Sequence, residues 1–104
     1  KLGQLGEKHL ADILKDKKIE VKTDYQAEQT GNIFIEYHSR GKASGITTTQ
    51  AQWYAFLLSN HKIILISTEE LKSICRKYLW TDRDVKGGDN NTSHGILLPL
   101  TKLI

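Results

Sequence analysis

The chain has 104 residues, of which 38% are hydrophobic and 26% are charged, a composition typical of a folded domain rather than a disordered segment. A chain of this length suits one domain, 1–104, with one modest core. Its formal net charge of +3 permits nucleic-acid binding without requiring it. Cys75 is the sole cysteine, which excludes an internal disulfide and a cysteine-rich zinc cluster and favours the reducing cytoplasm. No apolar run approaches the length of a membrane span, so we expect no membrane partner.

Residues 1–39 predict one helix followed by two strands. Apolar residues recur at helical spacing from Leu2 to Leu14 and predict the helix. The segment Lys18–Asp24 alternates and contains β-branched residues, which predicts a short strand. A turn signal at Thr30-Gly31-Asn32 leads into the alternating segment Asn32–Ser39, which we expect to be a second strand antiparallel to the first.

Residues 40–79 predict a helix, a strand and another helix. Threonines at positions 47–49 offer N-caps for a helix from Thr49 to Leu58. Four consecutive aliphatic residues within Lys62–Ser67 predict a strand buried on both faces. Ser67 and Glu70 form a capping-box pattern, which opens a second helix with Cys75 at a core position rather than as a nucleophile.

A polar loop over residues 87–95 precedes the last predicted strand, Gly95–Leu100. Pro99 favours an edge position or the strand end because it lacks a backbone donor. The predicted order is therefore α-β-β-α-β-α-β. We expect an α/β domain in which helices flank one small mixed sheet, with the strand at residues 18–24 near its centre.

The first predicted strand carries the first candidate chemistry. Glu20 and Lys22 project from one face, about 7 Å apart along the strand, while Ile19 and Val21 occupy the other. A carboxylate can hold a hard divalent cation, and an ammonium beside it can orient water and offset charge on a phosphate. The alternative is a strand with one solvated face. Glu7 could join the same cavity if the first helix packs across the sheet; otherwise it is a surface glutamate.

The segment from Ser39 to Thr49 carries the second candidate chemistry. Cations, hydroxyls and flexible glycines precede a predicted helix N-terminus, which suits contact with phosphate groups. A tryptophan one helical turn further on could stack against a sugar or base. The alternative is a solvated loop with the tryptophan in the core. The candidate DNA contacts are Arg40, Lys42, Ser44, Thr47, Thr48 and Trp53.

The segment from Lys86 to Gly95 suits backbone contact to an anion and equally suits a mobile hairpin loop, the interpretation we favour. The four histidines, at positions 9, 38, 61 and 94, have no metal-binding spacing. The sequence contains no Walker phosphate-binding loop.

Several segments together carry a family resemblance. They are Gly6-Glu7, Ile19–Asp24, Thr30–Tyr37, Ser39–Lys42, Ser44–Ile46, Lys86–Asn91 and Gly95–Leu100. With these segments the chain resembles the PD-(D/E)xK nucleases, and more narrowly small phage-encoded members, some of them related to homing endonucleases and Holliday-junction resolvases. The resemblance covers most of the chain.

The resemblance implies a restriction-endonuclease-like core and a Mg²⁺- or Mn²⁺-dependent endonuclease that hydrolyses phosphodiester bonds in DNA. It also implies a bacterial cytoplasm as the compartment, and a homodimer if both strands are cut. Glu20 matches the second acidic metal ligand, Lys22 the motif lysine, and Glu7 the helix glutamate of resolvase-like branches.

The chain departs from the family at one position, because the family places a further aspartate on a strand before this motif. Asp16 is the nearest candidate for that metal ligand, Asp24 is the alternative, and otherwise the aspartate-bearing hairpin is missing. A chain without that aspartate would keep a nuclease-like fold as a DNA- or protein-binding module. A third hypothesis is a structural α/β domain whose polar strand face is solvated.

Overall fold

Among residues 10–104, which the structure describes apart from the side chain of Asp89, strands dominate and helices are short. In this computed structural model the strands are β1 (Ile19–Thr23), β2 (Asn32–Ser39), β3 (Lys42–Ala43), β4 (Trp53–Ser59), β5 (Lys62–Ser67), β6 (Asp84–Gly87) and β7 (Ser93–Pro99). Residues 10–14 are helical, and the helices that follow them are α1 (Ala27–Thr30) and α2 (Thr68–Arg76). The fold is of the α/β class, and no helix within the described range is long and apolar enough to cross a membrane.

The strands form two sheets rather than the single predicted sheet. In the mixed sheet, β1 pairs in parallel with β4, and β4 pairs antiparallel with β5. The other sheet is antiparallel, in the order β3-β2-β7-β6. The expected antiparallel pairing of the first two strands is therefore wrong. Parallel neighbours need a long connection, and residues 24–52 form it by way of the second sheet, which leaves β1 at a sheet edge rather than near a sheet centre.

One core joins the two sheets and α2. Its buried side chains are Ala27, Ile33, Ile35, Ile46, Tyr54, Phe56, Leu58, Ile66, Leu71, Cys75, Ile96 and Leu98. Burial of a large side chain such as Phe56 stabilises the fold by about 2 kcal/mol or more relative to its exposure. The predicted core position of Cys75 is confirmed, and burial raises the pKa of its thiol to about 12.

The predicted helix from Thr49 to Leu58 is wrong, because most of that segment forms β4. Tyr54 and Leu58 are four residues apart, a spacing that satisfies both a helix and a strand. Phe56 lies halfway between them and is only 1% exposed, so the large buried side chains recur at every second residue. The aromatic residues of this segment also favour a strand.

The strands predicted near residues 62–67 and 95–100 are confirmed, with two differences. β5 is buried on one face only, because it lies at the edge of its sheet and leaves Ile63 65% exposed. β7 begins at Ser93, inside the segment expected to be a loop. It ends at Pro99, a position that suits proline because proline has no backbone N–H to donate. The first predicted helix is helical at residues 10–14, and the rest of it lies outside the described residues.

Ser67 caps α2 as the sequence predicts, because the backbone amide of Glu70 donates a hydrogen bond of 3.1 Å to its hydroxyl. We expect Ser67→Ala to lower the free energy of unfolding by about 1 kcal/mol, since an amide of the first turn loses its acceptor. Urea unfolding measures this difference. Ser73→Ala, at an exposed position on the same helix, is the matched control, and equal stability of the two variants would contradict the cap.

Candidate functional site

The parallel pairing turns the polar face of β1 toward the core. Residues in register on parallel strands share a face, so Glu20 lies on the side of Tyr54 and Lys22 on the side of Phe56. Glu20 is half-buried and Lys22 is exposed at the strand edge. The opposite face, with Ile19 40% and Val21 56% exposed, is the more solvated one. The candidate carboxylate and lysine are therefore on the core-facing side of an edge strand.

Glu20 lines an open groove of about 400 Å³ between β1 and the segment that precedes β4. Lys18, Thr49 and Gln50 also line this groove. The Thr49 hydroxyl accepts a hydrogen bond of 3.1 Å from the amide of Ala51. The groove thus combines one carboxylate with neutral oxygen donors and a cation.

Tyr54 connects the groove to the core. Its pKa is raised above the ordinary value, first because burial desolvates the hydroxyl. The negative charge of Glu20 raises the pKa further, whereas a hydrogen bond with Thr49 lowers it. The negative charge of Glu20 therefore helps to keep the Tyr54 hydroxyl neutral.

Hydrogen bonds fix the wall of the groove. The amide of Lys18 donates to Oε1 of Gln52 at 2.7 Å, and the amide of Gln52 donates back to the carbonyl of Lys18 at 2.9 Å. The Thr68 hydroxyl donates to the carbonyl of Ala51 at 2.8 Å. The starts of β1, β4 and α2 are consequently tied together around the groove.

The donors at the groove are suited to a hard cation, although no three His, Cys, Asp or Glu side chains among residues 10–104 form a metal-binding group. Asp16 is an exposed turn residue before β1. Asp24 follows β1, and its carboxylate accepts a hydrogen bond of 3.1 Å from the amide of Gln26. Glu7 lies outside the described residues. Mg²⁺ keeps several waters and is usually held by one or two carboxylates plus substrate phosphates, so an ion at this groove would have Glu20 as its carboxylate ligand and would need a substrate phosphate as a second anionic ligand.

The hydroxyls of the segment after β3 are used within the protein. Ser44 donates to the carboxylate of Glu36 at 2.9 Å, and Thr47 donates to the carbonyl of Tyr37 at 2.9 Å. Thr48 donates to a carbonyl of the same segment at 3.5 Å. This segment folds back on β2 through a 3₁₀ turn instead of leading into the predicted helix.

Trp53 lies at the start of β4, in register with Ile19 and Ser67. It is therefore on the outer face of the mixed sheet, opposite the face of Glu20. The structure does not bring this tryptophan to the side of the groove carboxylate.

Two hairpin tips come together at one end of the antiparallel sheet. Arg40 lies in the turn between β2 and β3, and its amide donates at 2.9 Å to the carbonyl of Thr92 in the loop between β6 and β7. His38 and Lys86 both pair with His94 across neighbouring strands. We call this region the basic end; its members are His38, Arg40, Lys42, Lys86 and His94.

The basic end presents exposed positive charge. Arg40, Lys42 and Lys86 are exposed, and the sole ion pair within the described part of the chain is Lys62–Glu28. Lys86 is distant from Arg40 and Lys42 along the chain. The pairing of β2 with β7, which local patterns do not reveal, brings their strands into one sheet.

Tyr37 and Asp84 form a second polar group that sequence reasoning missed, because 47 residues separate them. The Tyr37 hydroxyl donates to Oδ1 of Asp84 at 2.6 Å, and the backbone amide of Trp80 donates to Oδ2 at 2.9 Å. The hydrogen bond to the carboxylate, with burial and the negative charge as smaller causes, raises the pKa of Tyr37 to about 12.

Comparison of the chain with family models, with curated proteins and with solved structures gives no match. Function is therefore inferred from two features of the molecule, the groove at Glu20 and the basic end.

We expect Tyr37→Phe to lower the free energy of unfolding by about 1.5 kcal/mol at neutral pH, because a partly buried hydrogen bond to a carboxylate is removed. The folded-state pKa of Tyr37 exceeds the unfolded value of 10.0, so its contribution is complete below pH 10 and is lost as the pH rises toward 12. Urea unfolding of both proteins across this range measures the shrinking difference. Tyr25→Phe, at a tyrosine that is 57% exposed, is the control. A difference that stays constant or grows toward pH 12 would exclude this hydrogen bond.

Proposed function

We propose that the protein is a metal-dependent DNA endonuclease in which Glu20 and Lys22 act on a phosphodiester bond at the groove beside β1. The observation that carries the proposal is the pair itself: a half-buried carboxylate and an exposed lysine on one face of an edge strand, next to an open groove. A restriction-endonuclease-like core, as in the PD-(D/E)xK nucleases that the sequence resembles, is part of the proposal. The mixed sheet whose edge strand carries the Glu-x-Lys triplet supports it.

Glu20 would hold a Mg²⁺ or Mn²⁺ ion, with oxygen donors of the groove and waters around it. A bound divalent ion supplies Lewis-acid stabilisation of the negative charge on the phosphate. Lys22 would orient the attacking water and offset the charge that increases on the phosphate during reaction. The half-buried position of Glu20 beside Tyr54 supports this role, since partial burial restricts the carboxylate more than full exposure would.

DNA would bind through the cations of the basic end. Arg40 and Lys42 come from the segment that the sequence predicts to contact phosphate, and Lys86 is a third exposed cation at the same end of the antiparallel sheet. Contacts of this kind fix the position of the backbone without reading its sequence. Cleavage of both strands requires two active sites, so a homodimer in the bacterial cytoplasm is part of the proposal.

The second candidate function is binding of DNA or a protein without hydrolysis. The observation that favours it is that, within residues 10–104, no three potential metal-ligating side chains come together. Titration with Mn²⁺ separates the two functions, because a paramagnetic ion held at Glu20 broadens the amide signals of β1. A binding module would retain salt-sensitive DNA binding with those signals unchanged, and a purely structural domain would show neither effect.

We expect Glu20→Gln and Lys22→Ala each to slow cleavage of plasmid DNA in Mg²⁺ or Mn²⁺ by at least about a hundredfold, since each removes a charge that acts on the reacting phosphate. Glu69→Gln and Lys77→Ala, at exposed positions near α2, are matched controls and should keep full activity. Far-UV circular dichroism checks that the fold is retained. Cleavage that survives Glu20→Gln or Lys22→Ala removes that residue from the mechanism.

We expect Arg40→Ala, Lys42→Ala and Lys86→Ala each to weaken binding to a short duplex. Each should reduce the slope of log K against log salt by about 0.9 for every phosphate that the variant no longer neutralises. Fluorescence anisotropy at several salt concentrations measures the slope, and Lys77→Ala is the control. A triple variant with the full slope would place the DNA on another surface.

A further inference from the structure

A cavity of about 280 Å³ lies between the antiparallel sheet and α2, apart from the groove at Glu20. Its floor consists of core side chains, among them Ile35, Cys75 and Ile96, which are all buried. Two cations of α2, Lys72 and Arg76, also line it. The cavity therefore has an apolar interior and a positively charged side.

The two cations that line the cavity have no ion pair with the described residues. Lys72 and Arg76 are four residues apart and so lie on the same side of α2, where like charges repel. Neither side chain forms a hydrogen bond or ion pair with any residue in the part of the chain that the structure describes. The carboxylate of Asp84 accepts hydrogen bonds from a backbone amide and from the hydroxyl of Tyr37, a residue that lines the cavity. An anion at the cavity would relieve the repulsion between the two cations.

We propose that this cavity binds a small monoanion with a flat apolar body, of the class of an aryl carboxylate. The ring would occupy the apolar floor, and the carboxylate would lie against Lys72 and Arg76, whose guanidinium can bind both of its oxygens. The volume lies at the lower end of the range of ligand pockets, about 300–1,000 Å³, which restricts the ligand to one or two rings. This proposal does not rest on the nuclease activity.

Two probes of equal shape test the proposal, 2-naphthoate and its neutral analogue 2-naphthamide. We expect the full chain to bind the carboxylate roughly fivefold or more tightly than the amide in isothermal titration calorimetry, the size expected of a partly exposed ion pair. Amide chemical shifts of Ile35, Cys75 and Ile96 should change on binding. Equal affinity for the two probes, absence of binding at millimolar naphthoate, or shift changes confined to another region would overturn the proposal.

Single substitutions then test which cations bind the carboxylate and whether the ring occupies the cavity. Lys72→Gln and Arg76→Gln should each weaken naphthoate binding about threefold or more and leave naphthamide binding unchanged. Lys77→Gln, at an exposed cation that does not line the cavity, is the matched control and should bind like the wild type. Leu79→Trp, which adds a ring at the cavity wall, should abolish binding of both probes. Loss of naphthoate affinity in Lys77→Gln equal to that in Arg76→Gln would show general electrostatic attraction and overturn the site.

Discussion

Parallel strands cannot be joined by a tight turn, so the pairing of β1 with β4 requires the chain to leave the mixed sheet and return to it. Residues 24–52 make this excursion, and on the way they form the β2–β3 hairpin of the antiparallel sheet. The same register sets Glu20 beside Tyr54 and Lys22 beside Phe56. One pairing thus produces both the two-sheet architecture and the groove in which the candidate carboxylate lies.

Stability alone would favour apolar residues on the core-facing side of β1 and polar residues on the other side, and the strand has the reverse arrangement. A carboxylate on the core-facing side loses hydration, whereas Ile19 and Val21 on the other side leave apolar area in water. The edge position of β1 limits the first cost, because the open groove keeps Glu20 in contact with solvent. Departures from the usual burial pattern concentrate at functional sites, and this one coincides with the residues for which chemistry is proposed.

Local patterns in the sequence predict local structure in this chain. They fail where the structure depends on residues that are far apart along the chain. Alternation predicts β1 and β2, an unbroken aliphatic run predicts β5, and capping chemistry predicts the start of α2, because each depends on residues that are neighbours along the chain. The spacing of Tyr54 and Leu58 fits two periods, so it misassigns β4 to a helix. The pairing of β2 with β7 places His38 and Lys86 on either side of His94 and brings Tyr37 to Asp84, and no pattern within a short window contains this information. The sequence identifies Glu20 and Lys22 as a candidate pair, but it does not reveal the groove in which Glu20 lies.

The antiparallel sheet changes from core to surface at a single irregularity in β2. The register shifts between Glu36 and His38, so that Tyr37 is the extra residue of a bulge. The carbonyl of Tyr37 accepts hydrogen bonds from the Ser44 amide at 3.1 Å and from the Thr47 hydroxyl at 2.9 Å, which hold the bulge in place. Because the side chain of Tyr37 lines the α2 cavity while the next residue pairs with His94 at the basic end, the bulge supports both. A regular strand would move His38 to the opposite face and separate it from His94, so the geometry of the basic end depends on this one inserted residue.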